Sequence, residues 1–260
     1  MNEEIFDGKY SEGDYYPGIY NYCDRWCERC AFNSRCLNYS IEMEMEERHP
    51  GKEIEDSIKR VKIIFEEISN LLERFMEKEG ISIDDLPDVD EDAEREVEKK
   101  IERHPLCILA DKYHNLVNDW FATNNSVIEQ FVVELRKKVE LGLAKGDPVD
   151  DILSLHDVID IIIYYYTFIY IKIRRAVRDI YDKLFDPEFK KLDKNLSAKL
   201  ALIGIDRSIG AWQILGEIVE KETGLIVDDF VEMLIKLRDD VEEEFPDARE
   251  FVRPYFDEEK

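Results

Sequence analysis

The chain has 260 residues, 44% hydrophobic and 37% charged, a composition that can bury a core without disulfide staples and is too apolar for a disordered chain. Lysine and arginine total 36 against 61 aspartates and glutamates, a formal charge of −25. A field of that sign repels phosphate backbones and anionic lipid, so it speaks against nucleic acid and membrane as partners and favours a protein partner with a basic surface.

Residues 1–8 are acidic and lack the apolar stretch of a signal peptide. The longest uncharged run in the apolar middle of the chain, 161–171, falls well short of the ~20 residues that span a bilayer. The expectation is a soluble, cytoplasmic protein, in which thiols stay reduced and clustered cysteines hold metal more often than they pair.

In chain order, residues 1–45 are rich in Tyr, Gly and Cys and carry no sustained helical period; they read as an irregular module built around the cysteines. From Ile54 the pattern changes. Ile54, Ile58, Val61, Phe65, Ile68, Leu72 and Phe75 recur at alternating steps of four and three, the stripe of an amphipathic helix ending near Gly80. Residues 81–92, with Pro87 and several acids, read as a loop.

A second helix starts near Ala93 with Val97 and Ile101. Pro105, lacking an N–H, kinks it or starts a new one. Its continuation through Ile108, Leu109, Tyr113, Leu116, Val117 and Trp120 is expected to end before Thr123, Asn124 and Asn125. Ser126 with Glu129 three residues on suggests the cap of a third helix, carrying Ile128, Val132, Leu135, Val139 and Leu143.

The fourth helix, about 149–184, is apolar nearly all round between Val158 and Ile171, as expected of a central helix touched on every side. A fifth runs over about 196–220. A sixth, from about Asp228, carries Phe230, Leu234, Leu237, Val241 and Phe245 up to Pro246, and Phe251, Tyr255 and Phe256 are placed to fold the tail back onto the body. The expected fold is all-α: a helical bundle of about six helices over 46–260, preceded by the cysteine-rich module at 1–45.

Four of the five cysteines lie within 14 residues, as Cys23-x3-Cys27-x2-Cys30-x5-Cys36. Cys27 and Cys30 sit on one turn and can face a common centre, and the longer arms can bring two more thiolates around it. Four thiolates suit tetrahedral zinc or an iron–sulfur cluster. Structural zinc sites tend to use two separated ligand pairs, whereas this string is compact and unevenly spaced. Arg25, Arg29 and Arg35 are interleaved with the cysteines, which suits an anionic [4Fe-4S] cluster, and Trp26 and Phe32 are placed to shield it from water.

The stretch Cys27-x2-Cys30-x5-Cys36, with Phe32 two residues after the middle cysteine, resembles iron–sulfur-binding loops of the CRISPR-associated RecB-like nucleases and of the auxiliary-cluster domains of some radical enzymes. The resemblance covers about ten residues, and it implies a ligand set rather than an activity. The Cys23-x3-Cys27-x2-Cys30 prefix also resembles the radical-SAM signature, a family built on a β/α barrel that a helical chain does not supply.

A second set of candidates lies in the helices. Asp111 and His114 share a helix face at i, i+3, and His156 and Asp160 do so at i, i+4. Asp206 lies in a mostly apolar stretch, where an unpaired charge is costly. Helical di-metal proteins use four acids and two histidines, so this set matches in part. Simpler roles compete: His114 bordering a core face, His156 at a helix edge, and Asp206 paired with Lys172, Arg174, Arg175 or Arg207. Cys107 reads as a core thiol. The Tyr164, Tyr165, Tyr166 and Tyr170 group reads as packing rather than an electron relay. No phosphate loop, zinc-protease motif or nucleophile elbow is present.

Overall fold

The computed structural model describes residues 13–48, 90–141, 148–182, 187–223, 225 and 227–257, with isolated positions at 62, 65, 69, 73, 76, 80 and 82. The chain divides into two compact units, 1–91 and 92–260, so the division expected at 45/46 falls inside the first. Among the described residues every regular element is helical and there is no strand.

In the first unit, three single 3-10 turns (Ile19–Asn21, Cys27–Arg29, Asn33–Arg35) lead into helix α1 (Leu37–Arg48). This helix begins directly after the last cysteine of the string, where the sequence pattern suggested only irregular chain. Its residues explain the difference. Ile41, Glu42, Met43, Glu44, Met45 and Glu46 include strong helix formers without a clean apolar stripe, so propensity rather than periodicity carries the element. Of the stripe expected over 54–75, only Phe65 is among the described residues; it is helical but 72% exposed and therefore not a core position.

The second unit contains α2 (Glu91–Arg103), α3 (Pro105–Glu140), α4 (Pro148–Tyr181), α5 (Pro187–Thr223) and α6 (Asp228–Glu244). Prolines open α3, α4 and α5, at the position where the missing N–H would have had no helical partner. Pro105 thus starts a helix rather than kinking one. The break expected at Thr123 to Asn125 does not occur. Polar residues alone do not stop a helix, and the two asparagines are satisfied within it: Asn124 Nδ2 donates to the Trp120 carbonyl (2.8 Å) and Asn125 Nδ2 to Glu129 (2.9 Å).

The most extensive helix pair is α4 with α5; α3 packs on α4, and α6 packs on α5 and α3. The α4–α5 pair is close at Gly204, where an added Cβ would stand 3.0 Å from both Ile169 and Tyr165, so those side chains would have to give way. α4 contributes Ile162, Tyr165, Ile169, Ile173 and Val177 to the core, and α5 contributes Leu200, Leu202, Ile205, Trp212 and Leu215. Trp212 is the centre of an aromatic cluster. It stacks on Phe230 at 4.3 Å, receives the edge of Trp120 at 5.2 Å, and donates Nε1–H to the Tyr113 hydroxyl at 3.0 Å. Burial raises the pKa of the Tyr113 hydroxyl.

Several expected core positions lie outside. Ile108 and Leu116 are exposed because the buried stripe of α3 runs through Leu106, Ala110, Tyr113 and Val117. α4 is not surrounded on all sides either: Ile163 and Ile171 face out on a strip with Asp160 and His156. Its apolar composition exceeds what its neighbours cover. Beyond α6, Phe245 and Ala248 are buried, and Lys199 Nζ donates to the Arg249 carbonyl at 2.6 Å, tying the tail to α5. No helix among the described residues is long and apolar enough to cross a membrane.

Candidate metal centre

The cysteine string is laid out by tight turns rather than by a core. Cys27 opens one 3-10 turn, which closes as the Cys30 N–H donates to the Cys27 carbonyl at 3.2 Å. Asn33 begins the next, closed by the Cys36 N–H on the Asn33 carbonyl at 3.1 Å. Asn33 Nδ2 also reaches the Cys27 carbonyl at 3.4 Å, linking the two turns. The Ser40 N–H then bonds the Cys36 carbonyl at 3.0 Å, so Cys36 leads straight into α1. The Arg35 guanidinium clamps the start of the segment: it donates to the Asp14 and Gly13 carbonyls (3.3 and 3.1 Å) and lies 4.0 Å over the Tyr16 ring.

One sulfur accepts a backbone N–H from two residues further on: the Phe32 N–H donates to Cys30 Sγ at 3.4 Å, while the Cys23 thiol donates to the Tyr20 carbonyl at 3.6 Å. Arg25 has φ 65°, in the left-handed region, where a non-glycine residue is uncommon. A donor aimed at sulfur favours the thiolate, the form that binds metal.

All five cysteines are free thiols; Cys36 and Cys107 are buried, and Cys23, Cys27 and Cys30 are half-buried. Burial raises the Cys23 pKa first of all, opposed by the Arg25 N–H and side chain, with Asp24 and Cys30 adding to the rise. Burial likewise pushes the Cys27 thiol up to about 11, reinforced by Glu42 and by Cys23 and Cys36. Among the described residues no three His, Cys, Asp or Glu side chains are gathered into a ready ligand set for a metal ion. What fits a tetrathiolate is the donor chemistry: four reduced sulfurs within 14 residues of chain, one of them with an aimed N–H group.

The residues around the string pair with one another. Arg29 lies 4.3 Å over Trp26 and Arg25 lies 5.9 Å from the centre of the Tyr20 ring. Phe32 meets Tyr16 edge-on at 6.0 Å. The three arginines each cover an aromatic face, an arrangement not legible from their spacing alone.

The candidates in the helices are spread over the second unit. Asp111 is exposed and accepts from Asn115 at 3.0 Å. His114 stacks on Tyr166 and Tyr170, at 4.9 and 5.3 Å. His156 and Asp160 are exposed on α4. Asp206 does not sit in the apolar environment its neighbours in sequence suggested. It is exposed on α5 and paired with Arg249 of the tail at 2.6 Å, not with the four basic residues considered from the sequence. Those residues have other partners: Arg175 holds Asp193, Arg174 pairs with Glu98 of α2, and Lys172 lies 5.3 Å over the Phe168 ring. Arg207 bonds the Tyr165 hydroxyl. Cys107 is a core thiol, 2% exposed, with its pKa pushed up to about 12 by burial.

Comparison with family models, with curated proteins and with solved structures finds no match to this chain.

Proposed function

We propose that the first unit binds a [4Fe-4S] cluster through Cys23, Cys27, Cys30 and Cys36, and that the protein serves a redox, sensing or partner-docking role. The observation that carries this reading is the backbone N–H aimed at Cys30 within a 14-residue string of four reduced thiols. Donors to sulfur stabilise the anionic ligand and tune the potential of what it holds. Bound there, such a cluster supplies one-electron chemistry.

The chain's own residues do the rest. Trp26, under Arg29, and Phe32, against Tyr16, limit water at the sulfurs. Arg25 and Arg29 place positive charge beside an anionic centre in a chain of net charge −25. A protein partner with a basic surface suits the remaining acidic field. Cytoplasmic location accords with five unpaired thiols.

Zinc is the second reading, favoured by the same N–H on Cys30, which serves any thiolate-bound metal. A di-metal centre gains nothing from the placement of Asp111, His114, His156, Asp160 and Asp206. The test is anaerobic reconstitution with iron and sulfide. Wild-type protein should develop absorbance at roughly 400 nm. An equal spectrum from a variant with all four cysteines changed to serine would overturn the assignment.

A further inference from the structure

α4 carries more apolar surface than its neighbours cover, and the excess lies along one line. Ile163 is 49% exposed and Ile171 is 53% exposed, with the half-buried Thr167 midway between them. Asp160, three residues before Ile163, is exposed, and Arg174, three residues after Ile171, is half-buried. At about 100° per residue these five positions share one outward face, opposite the buried Ile162, Tyr165 and Ile169. The steps between them are three, four, four and three, the same read in either direction from Thr167.

The charges do not mirror the spacing. Before Thr167 the strip is acidic, with Asp157 and Asp160; after it the strip is basic, with Lys172, Arg174 and Arg175. Arg174 and Arg175 hold Glu98 and Asp193, and Lys172 keeps that end net positive. Such a strip complements itself when turned end for end. Laid antiparallel on a second copy, Ile163 meets the partner's Ile171 and the acidic end meets the basic end, twice over, as a twofold axis requires. Laid parallel, like charges would face each other at both ends. The formal charge of −25 makes two copies repel, so a self-contact needs a surface whose own charge is not negative. This strip meets that condition.

We propose that a second copy of the chain covers this strip, with the two α4 helices antiparallel across a twofold axis at Thr167 and Asp160 facing the partner's Arg174. The isoleucines supply the apolar burial, and the charged ends set the direction. From His156 to Arg175 the strip is about 30 Å long and about 10 Å wide, less than the roughly 800 Å² per partner of a standard interface. The dimer is therefore expected to be reversible, dissociating in the micromolar range.

The test is sedimentation velocity of the full chain from about 1 to about 200 μM, with far-ultraviolet circular dichroism of each variant as the check on folding. Wild type should move from the mass of one chain towards two as concentration rises. Ile171→Asp, at a half-exposed position, should weaken association by more than about tenfold, because symmetry puts the new charge into the contact twice. Ile163→Lys should do the same. The double variant Ile163→Lys with Ile171→Asp should associate better than either single variant, since the antiparallel register sets the two new charges against each other. The mass of one chain at every concentration would overturn the proposal and leave the strip to a different protein. Association that survives Ile171→Asp would place the contact elsewhere and overturn it too. A double variant no better than the single ones would refute the antiparallel register.

Discussion

The backbone N–H of Phe32 points at the sulfur of Cys30, 3.4 Å away, across the turn that separates Cys30 from Cys36. Cys23 instead donates its thiol to the Tyr20 carbonyl at 3.6 Å, and Arg25, two residues on, has a left-handed φ of 65°. A backbone donor aimed at a cysteine sulfur favours the thiolate there.

Replacement of Cys30 by serine removes one ligand and the acceptor for the Phe32 N–H. Reconstituted Cys30→Ser should lose the absorbance at roughly 400 nm while keeping nearly all of its far-ultraviolet helical signal. Collapse of helicity instead would mean that the sulfurs serve only to staple the chain.

The thiols should also separate by reactivity. In metal-free native protein at about pH 8, the half-buried Cys23, Cys27 and Cys30 should label first and Cys36 more slowly. Cys107, with its pKa at about 12 in the core, should label only on unfolding. Mass spectrometry of a labelling time course resolves the order; early modification of Cys107 would contradict its packing.

Two substitutions probe the second unit. Trp212→Ala deletes a fully buried ring stacked on Phe230 and strands the Tyr113 hydroxyl, at an expected cost of about 3–5 kcal/mol in denaturant unfolding. Gly204→Ala forces a methyl to 3.0 Å from Ile169 and Tyr165, and should cost about 1–3 kcal/mol by overpacking the α4–α5 contact.

The Asp206–Arg249 pair offers a contrast. Both side chains are about 40% exposed, at 41% and 38%, so solvent screens the attraction. Arg249→Ala should change stability by no more than about 1 kcal/mol in the same assay. A loss as large as that of Trp212→Ala would mean that the tail contact on α5 contributes far more than its exposure suggests.

Helical class and most of the long helices were legible because the apolar residues repeat at steps of three and four. Misplaced expectations came from composition without directional information. Thr123 to Asn125 look like a break, but nothing there forbids helical φ and ψ. The run from Ile161 to Ile171 looks surrounded, yet Ile163 and Ile171 are half exposed. Asp206 sits among apolar letters and still points out, because a helix turns a residue away from its neighbours in sequence. For the cysteines, the spacing suggested the ligand set. The N–H aimed at the Cys30 sulfur and the arginine–ring stacks depend on backbone angles that spacing does not encode.

The most direct measurement is iron and acid-labile sulfide per chain in protein purified without oxygen, with zinc counted in the same sample. The account predicts about four irons and four sulfides, released together when Cys23, Cys27, Cys30 and Cys36 are replaced. Stoichiometric zinc without iron, or native chain without metal that takes up neither iron nor sulfide, would contradict it.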